Sequence, residues 1–201
     1  MPTAVTEIPV PAAAQDPPRK RWTRSECAVI EATGLFDQER LELIDGELIS
    51  KMGKKRPHVD IASFLLGWLI QVFGYRLVNS EAPIDVAPED NPTNEPVPDI
   101  IVLRRGYSRF GSTSPQPADL QLVVEVADTS LTFDLTVKAG LYARAGIVEY
   151  WVLDVPGRRL VVHRDPQEGK YRSIVAFSED ENVAPLAAPD SAFRIGDAFL
   201  A

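Results

Sequence analysis

The stretch Pro98–Asp154 leaves a folding chain few options. It holds three apolar runs of strand length, PDIIVL, DLQLVVEVADTS and VEYWVLDV, and one helix-length segment, TFDLTVKAGLYARAG, between the last two. The middle run is apolar almost without a break. Such a strand has no polar face to give to water, so it asks for a sheet covered on both sides. A helix between two apolar strands reads as a crossover, whereas Asp45-Gly46 in RLELIDGELISKM reads as the turn of an antiparallel hairpin. The expectation is an α/β fold whose mixed central sheet is flanked by helices, with the strand opened by Asp99 beside that of Glu125.

Carboxylates interrupt these runs. Asp99 stands at the head of PDIIVL, Glu125 lies among valines, and Asp134 and Lys138 follow one helical turn apart. A carboxylate in an apolar strand is costly unless it holds a partner or a metal. Carboxylates converging from neighbouring strand ends make a hard oxygen site that suits Mg2+ or Mn2+, while zinc would ask for histidine or cysteine. A lysine beside them can hold a water or stabilise charge on a phosphate. These residue types fit metal-dependent hydrolysis of a phosphodiester. By spacing alone, Asp134 and Lys138 read equally as an ion pair on a solvated helix face.

With 201 residues and 22.2 kDa the chain has room for one sizeable core. A single domain over residues 21–201 is expected, behind a disordered Pro/Ala-rich leader over 1–20. Cys27 is the only cysteine, which excludes an internal disulfide and a cysteine metal knuckle. No apolar run reaches the length of a membrane span, and the first residues lack a secretion pattern, so cytoplasmic residence is the expectation. The formal charge of −8 argues against binding a polyanion by net attraction alone. Local basic groups remain, among them Arg104, Arg105 and Arg109, which read as a solvated loop.

Earlier in the chain, Thr23 and Glu26 have capping-box spacing ahead of a short helix, SECAVIEATG, with Cys27, Val29 and Ile30 facing inward. By pattern, Glu42 and Glu47 of the hairpin are surface residues. A basic loop, GKKRP, leads to His58 and an amphipathic helix to about Gly74, carried by Ile61, Leu65 and Leu69. Basic residues ahead of a helix N-terminus suit an anion such as phosphate. A lone histidine at that point also suits a structural or surface role. Residues 159–163 and 170–177 read as a meander, and 182–201 as a segment packed on a sheet edge.

PDIIVL and LVVEVADTSLTFDLTVKAGLYARAGIVEYWVLDV together resemble the Uma2 family, also described as the domain of unknown function DUF820, within the PD-(D/E)xK restriction-endonuclease-like superfamily. LELIDGELI and the histidine opening the next helix match it too. The resemblance implies a divalent metal, Mg2+ or Mn2+, and cleavage of DNA. It sets Asp99 as the aspartate of the PD half and Glu125 as the acid of the other half, both metal ligands. Ala127 stands where the lysine is expected, and Lys138 on the following helix resembles the migrated lysine of this family. Glu42 matches an additional acidic residue, Asp134 a position that orients Lys138, and His58 a supporting one. A homodimer would let two such sites cut two strands. The alternatives are a catalytically silent nucleic-acid-binding or protein-interaction module of the same fold, and a metal-dependent hydrolase of a small phosphoester.

Overall fold

The structure, a computed structural model, describes residues 18–51, 53 and 55–199. Most of the expected leader, residues 1–17, lies outside the described residues, and 18–20 are exposed without regular structure. Helix α1 (Arg24–Glu31) begins at the capping box: Thr23 Oγ1 accepts from the Glu26 N–H at 3.3 Å, and Glu26 Oε2 from the Thr23 N–H at 2.9 Å. Cys27 is buried, but Val29 is 69% exposed, contrary to expectation. Two residues along a helix turn a side chain by about 200°, so a helix with one narrow buried stripe cannot hide both.

Strands β1 (Leu41–Ile44) and β2 (Glu47–Ser50) form the expected hairpin. Asp45 and Gly46 both take positive φ, 49° and 75°, as a two-residue turn of this hand requires. A Cβ on Gly46 would meet Arg21 Cβ at 2.7 Å, so glycine is also needed for close approach. Helix α2 (Arg56–Phe73) starts two residues earlier than the sequence suggested, with Pro57 in its first turn, where a missing N–H costs nothing. It buries His58, Ile61, Leu65 and Leu69 along one stripe.

The central sheet runs β3 (Val78–Ser80), β4 (Ile100–Leu103), β5 (Leu120–Ala127), β6 (Glu149–Asp154), β7 (Arg159–Gln167) and β8 (Lys170–Ser178), in that spatial order. All neighbours are antiparallel except β5 and β6, which run parallel and are joined by helical structure. That connection is not one regular helix. A short turn, α3 (Leu131–Phe133), passes into a π-helical turn over Asp134–Lys138 and then into α4 (Ala139–Arg144). Gly146, at φ 72°, ends it.

Alternation along the sheet sends side chains into two cores. Leu122, Val124 and Val126 pack with Trp151 beneath Ile61, Leu65 and Leu69 of α2. Val123 and Ala127 pack with Tyr150 beneath Leu141 and Tyr142 of α4, beside Ile44 of the hairpin. Both faces of β5 are therefore covered, as its unbroken apolar run demanded; each large side chain so buried contributes roughly 1.5–3 kcal/mol. The C-terminal segment departs from expectation. Strands β9 (Asn182–Val183) and β10 (Phe193–Arg194) pair with each other, and Val183, Phe193, Ile195 and Ala198 lie over the α2 face rather than on an edge. They bury Trp151 and Leu160, apolar surface of β6 and β7 beside α2.

Candidate active site

Asp99 stands one residue before β4. Ile100 pairs with Val124, so one more step of the same antiparallel register sets Asp99 across from Glu125. Both belong to the sheet face that carries Val123 and Ala127. Asp99 Oδ2 accepts a hydrogen bond from the Val126 N–H at 2.8 Å, which fixes the carboxylate against β5. Carboxylates facing each other on neighbouring strands repel, and burial makes the repulsion worse. Exposures of 5% and 2% leave the two residues little water, and cations lie beside them.

Lys138 is the first such cation. Its Nζ lies 2.8 Å from Glu125 Oε1 and 2.9 Å from Glu42 Oε1, and 3.9 Å from Asp134 Oδ1. Burial alone would push this ammonium toward neutrality, but Glu125, Glu42 and Asp134 outweigh it and hold its pKa well above the ordinary lysine value. Lys138 is therefore a fixed positive charge and hydrogen-bond donor. The pKa of Glu125 is raised too, here because burial disfavours its charged form against the pull of Lys138 and Lys51. Glu125 Oε1 also accepts from the Tyr142 hydroxyl at 3.2 Å.

The π turn places Asp134 and Lys138 together on the buried side. Both are 2% exposed, which overturns the reading of a solvated ion pair. Local widening of a helix of this kind recurs at functional sites. Asp134 is held by the Ser130 hydroxyl, whose Oγ lies 2.5 Å from Oδ2, and burial followed by the Glu125 charge raises its carboxyl to about 7. Glu42, a surface residue by pattern, is 4% exposed, and its Oε2 accepts from the Val97 N–H at 3.1 Å. The hairpin lies against the chain around Glu95, so the β1 face that alternation assigns to water is covered. Glu47 is exposed, as expected.

His58, in the first turn of α2, places Nε2 3.7 Å from Asp99 Oδ1. That nitrogen is buried and has no hydrogen-bond partner among the described residues. The structure thus brings Glu42, Asp99, Glu125 and Lys138 around one cavity of ≈ 140 Å³, with His58 on its wall and Asp134 behind Lys138. Sequence reasoning missed Lys51. Its Nζ donates to the Val97 carbonyl at 2.5 Å and lies 3.6 Å from Asp99 Oδ1 and 3.7 Å from Glu125 Oε2. Among the described residues, no group of three or more His, Cys, Asp or Glu is placed to hold a metal ion. Arg104 and Arg105, by contrast, follow the far end of β4 and bind Ala118 and Asp119.

Residues 30–195 match the model of the Uma2 family, described as "Putative restriction endonuclease". No curated protein matches the chain. Among solved structures, one described as "a putative nuclease belonging to DUF820", from Anabaena variabilis ATCC 29413, is similar at a TM-score of 0.63 and 20% identity, over 81% of this chain and 91% of that one. That likeness supports the fold: a mixed sheet flanked by helices, of the restriction-endonuclease-like kind. With the family model covering most of its length, the chain belongs to the Uma2 family.

Proposed function

We propose that the chain is a divalent-metal-dependent nuclease that hydrolyses phosphodiester bonds in DNA, with Asp99 and Glu125 as metal ligands and Lys138 at the reacting phosphate. The observation that carries this reading is the convergence of Asp99 Oδ1 and Glu125 Oε2 on a single cation, the Lys51 ammonium, at 3.6 and 3.7 Å. Two buried carboxylates that already share one cation fit Mg2+ or Mn2+, because Mg2+ takes one or two protein carboxylates and completes its shell with water and phosphate oxygens. When bound, the metal would supply Lewis-acid stabilisation of the phosphate and a more acidic water.

The chain's own residues do the rest. Asp99 and Glu125 fix the position of positive charge, and Glu42, by holding Lys138, helps orient it. Lys138 stays an ammonium, so it acts by donating a hydrogen bond to the attacking water or a phosphate oxygen and not by accepting a proton. Its contact with Glu125 keeps that charge beside the ligand carboxylate. At the rim, Lys55 caps α2 without a side-chain hydrogen bond, leaving the first N–H groups of the helix to a phosphate of the strand. Lys55 and Arg56 stand at the same helix end, paired there with Asp128 and Asp60, and a phosphate would compete with those carboxylates for them. A soluble homodimer acting in the cytoplasm would suit cleavage of both strands, and light scattering at micromolar protein tests the dimer.

Two observations favour a second reading, the silent module. Lys138 is engaged by two carboxylates at once, and the described residues hold no three-ligand metal group. The two readings separate when purified protein meets single-stranded DNA, duplex DNA and RNA, with Mg2+ or Mn2+, beside the Asp99→Ala protein. The nuclease reading expects metal-dependent cutting of DNA by the wild type alone. No cutting of any substrate and no metal binding would establish the silent module.

A further inference from the structure

Lys51 deserves a role of its own, because its position is not explained by packing or by a surface ion pair. Its side chain is only 14% exposed, and its Nζ is nearly equidistant from Asp99 Oδ1 and Glu125 Oε2. The other oxygen of each carboxylate is fixed elsewhere, Asp99 Oδ2 by the Val126 N–H and Glu125 Oε1 by Lys138 and Tyr142, and His58 Nε2 also lies 3.7 Å from Asp99 Oδ1. At 3.6–3.7 Å the Lys51 contacts are longer than a charged hydrogen bond, whereas its bond to the Val97 carbonyl is short. The ammonium is anchored to the backbone and held by the carboxylates through charge alone.

Resting on the nuclease reading, we infer that Lys51 is a resident counter-ion of the site, which a divalent cation must displace in order to bind. Two cations cannot share the space between these oxygens, since a metal ligated at about 2.1 Å by both would face the ammonium at close range. The lysine has somewhere to go. It lines the wall of an adjoining cavity of ≈ 510 Å³ that also carries Glu31, Asp37, Glu39 and the Arg40–Glu81 ion pair, and a rotation of its flexible stem carries the ammonium toward those carboxylates. Lys51 thus keeps the repelling carboxylates paired in the metal-free protein and weakens metal binding when it remains in place.

The experiment measures Mn2+ affinity by electron paramagnetic resonance on wild-type protein, Lys51→Met and Lys51→Arg, without DNA. Displacement requires Lys51→Met to bind Mn2+ more tightly, by about tenfold or more, because the cation between these two oxygens is then removed. Lys51→Arg, which keeps the charge, should stay near or below the wild type. Equal or weaker binding by Lys51→Met overturns the inference while leaving the nuclease reading intact; no Mn2+ binding by any of the three proteins overturns both. Should Lys51→Met not fold, reductive methylation of the wild type decides: Lys51 must react faster with saturating Mg2+ than without it, and an unchanged or slower rate overturns the inference.

Discussion

Lys138 Nζ lies 2.8 Å from Glu125 Oε1, a contact made from a π-helical turn back to a strand buried at every position but Gln121. An ion pair so deep stabilises little by itself, because desolvating both charges cancels most of their attraction. Removing one partner is another matter, since it strands the other charge in the core.

Lys138→Ala therefore has two expected effects. Cleavage falls to near background while Mn2+ binding largely survives, because Asp99 and Glu125, the proposed ligands, remain. Stability in metal-free buffer falls by about 3–5 kcal/mol, the usual consequence of leaving a buried carboxylate unpaired. Urea unfolding and a Mn2+ titration on the same preparation check both. Loss of metal binding in step with activity would show that Lys138 organises the ligands instead of acting on the phosphate.

Glu42→Gln tests the other side of Lys138. The amide keeps the shape and can still accept from the Val97 N–H, but it removes one of the negative charges that hold Lys138 as an ammonium. The expected result is a lower cleavage rate at unchanged Mn2+ affinity. Weaker Mn2+ binding would instead make Glu42 a ligand.

Asp134 gives the protein a pH dependence with a definite sign. Its carboxyl is raised in the fold to about 7 from an ordinary 3.8, so the native state holds a proton that the unfolded chain has lost. Across that window the unfolded state binds fewer protons, and stability falls as pH rises. The contribution is fully present below the ordinary value and gone above about 7. Asp134→Asn, which cannot ionise, should lose this fall: its urea midpoint should change less than the wild type's between pH 5 and pH 8. Parallel curves for the two proteins would contradict the assignment.

Tyr142→Phe removes the hydroxyl that donates to Glu125 Oε1 at 3.2 Å and leaves the packing of the ring. A neutral hydrogen bond to a carboxylate is worth roughly 1.5–3 kcal/mol. The expected outcome is a Tm lower by several degrees with Mn2+ affinity changed only a little, read by thermal unfolding with and without the metal. A large loss of metal affinity would place the tyrosine nearer the ligands than its geometry implies.

Legibility in the sequence followed chemistry. Asp99 and Glu125 stood out because a carboxylate in an apolar strand contradicts its surroundings, and the strand pairing then brought them together. The Asp45-Gly46 turn and the double-sided burial of β5 were equally readable, each being set by local residue type. Glu42 was not readable from alternation, because what covers its strand face is the distant segment around Glu95. The π turn left no mark either: Asp134 and Lys138 have the spacing of an ordinary helix, and only tertiary burial turns both inward. Lys51 sits among other basic residues of a polar loop, and nothing in its neighbours signals that its long side chain reaches back to Asp99 and Glu125. Val29 shows the converse, an apolar residue that the narrow stripe of α1 leaves in water.

The central claim is that Asp99 and Glu125 hold the metal that makes this chain cut DNA. One paired measurement tests it most directly: Mn2+ binding and Mn2+-dependent cleavage of duplex and single-stranded DNA, on wild-type and Asp99→Ala proteins purified side by side. The wild type should bind Mn2+ and cut, and Asp99→Ala should do neither while remaining folded by circular dichroism. Equal cutting by both proteins, or Mn2+ binding that survives the loss of Asp99 undiminished, would contradict it.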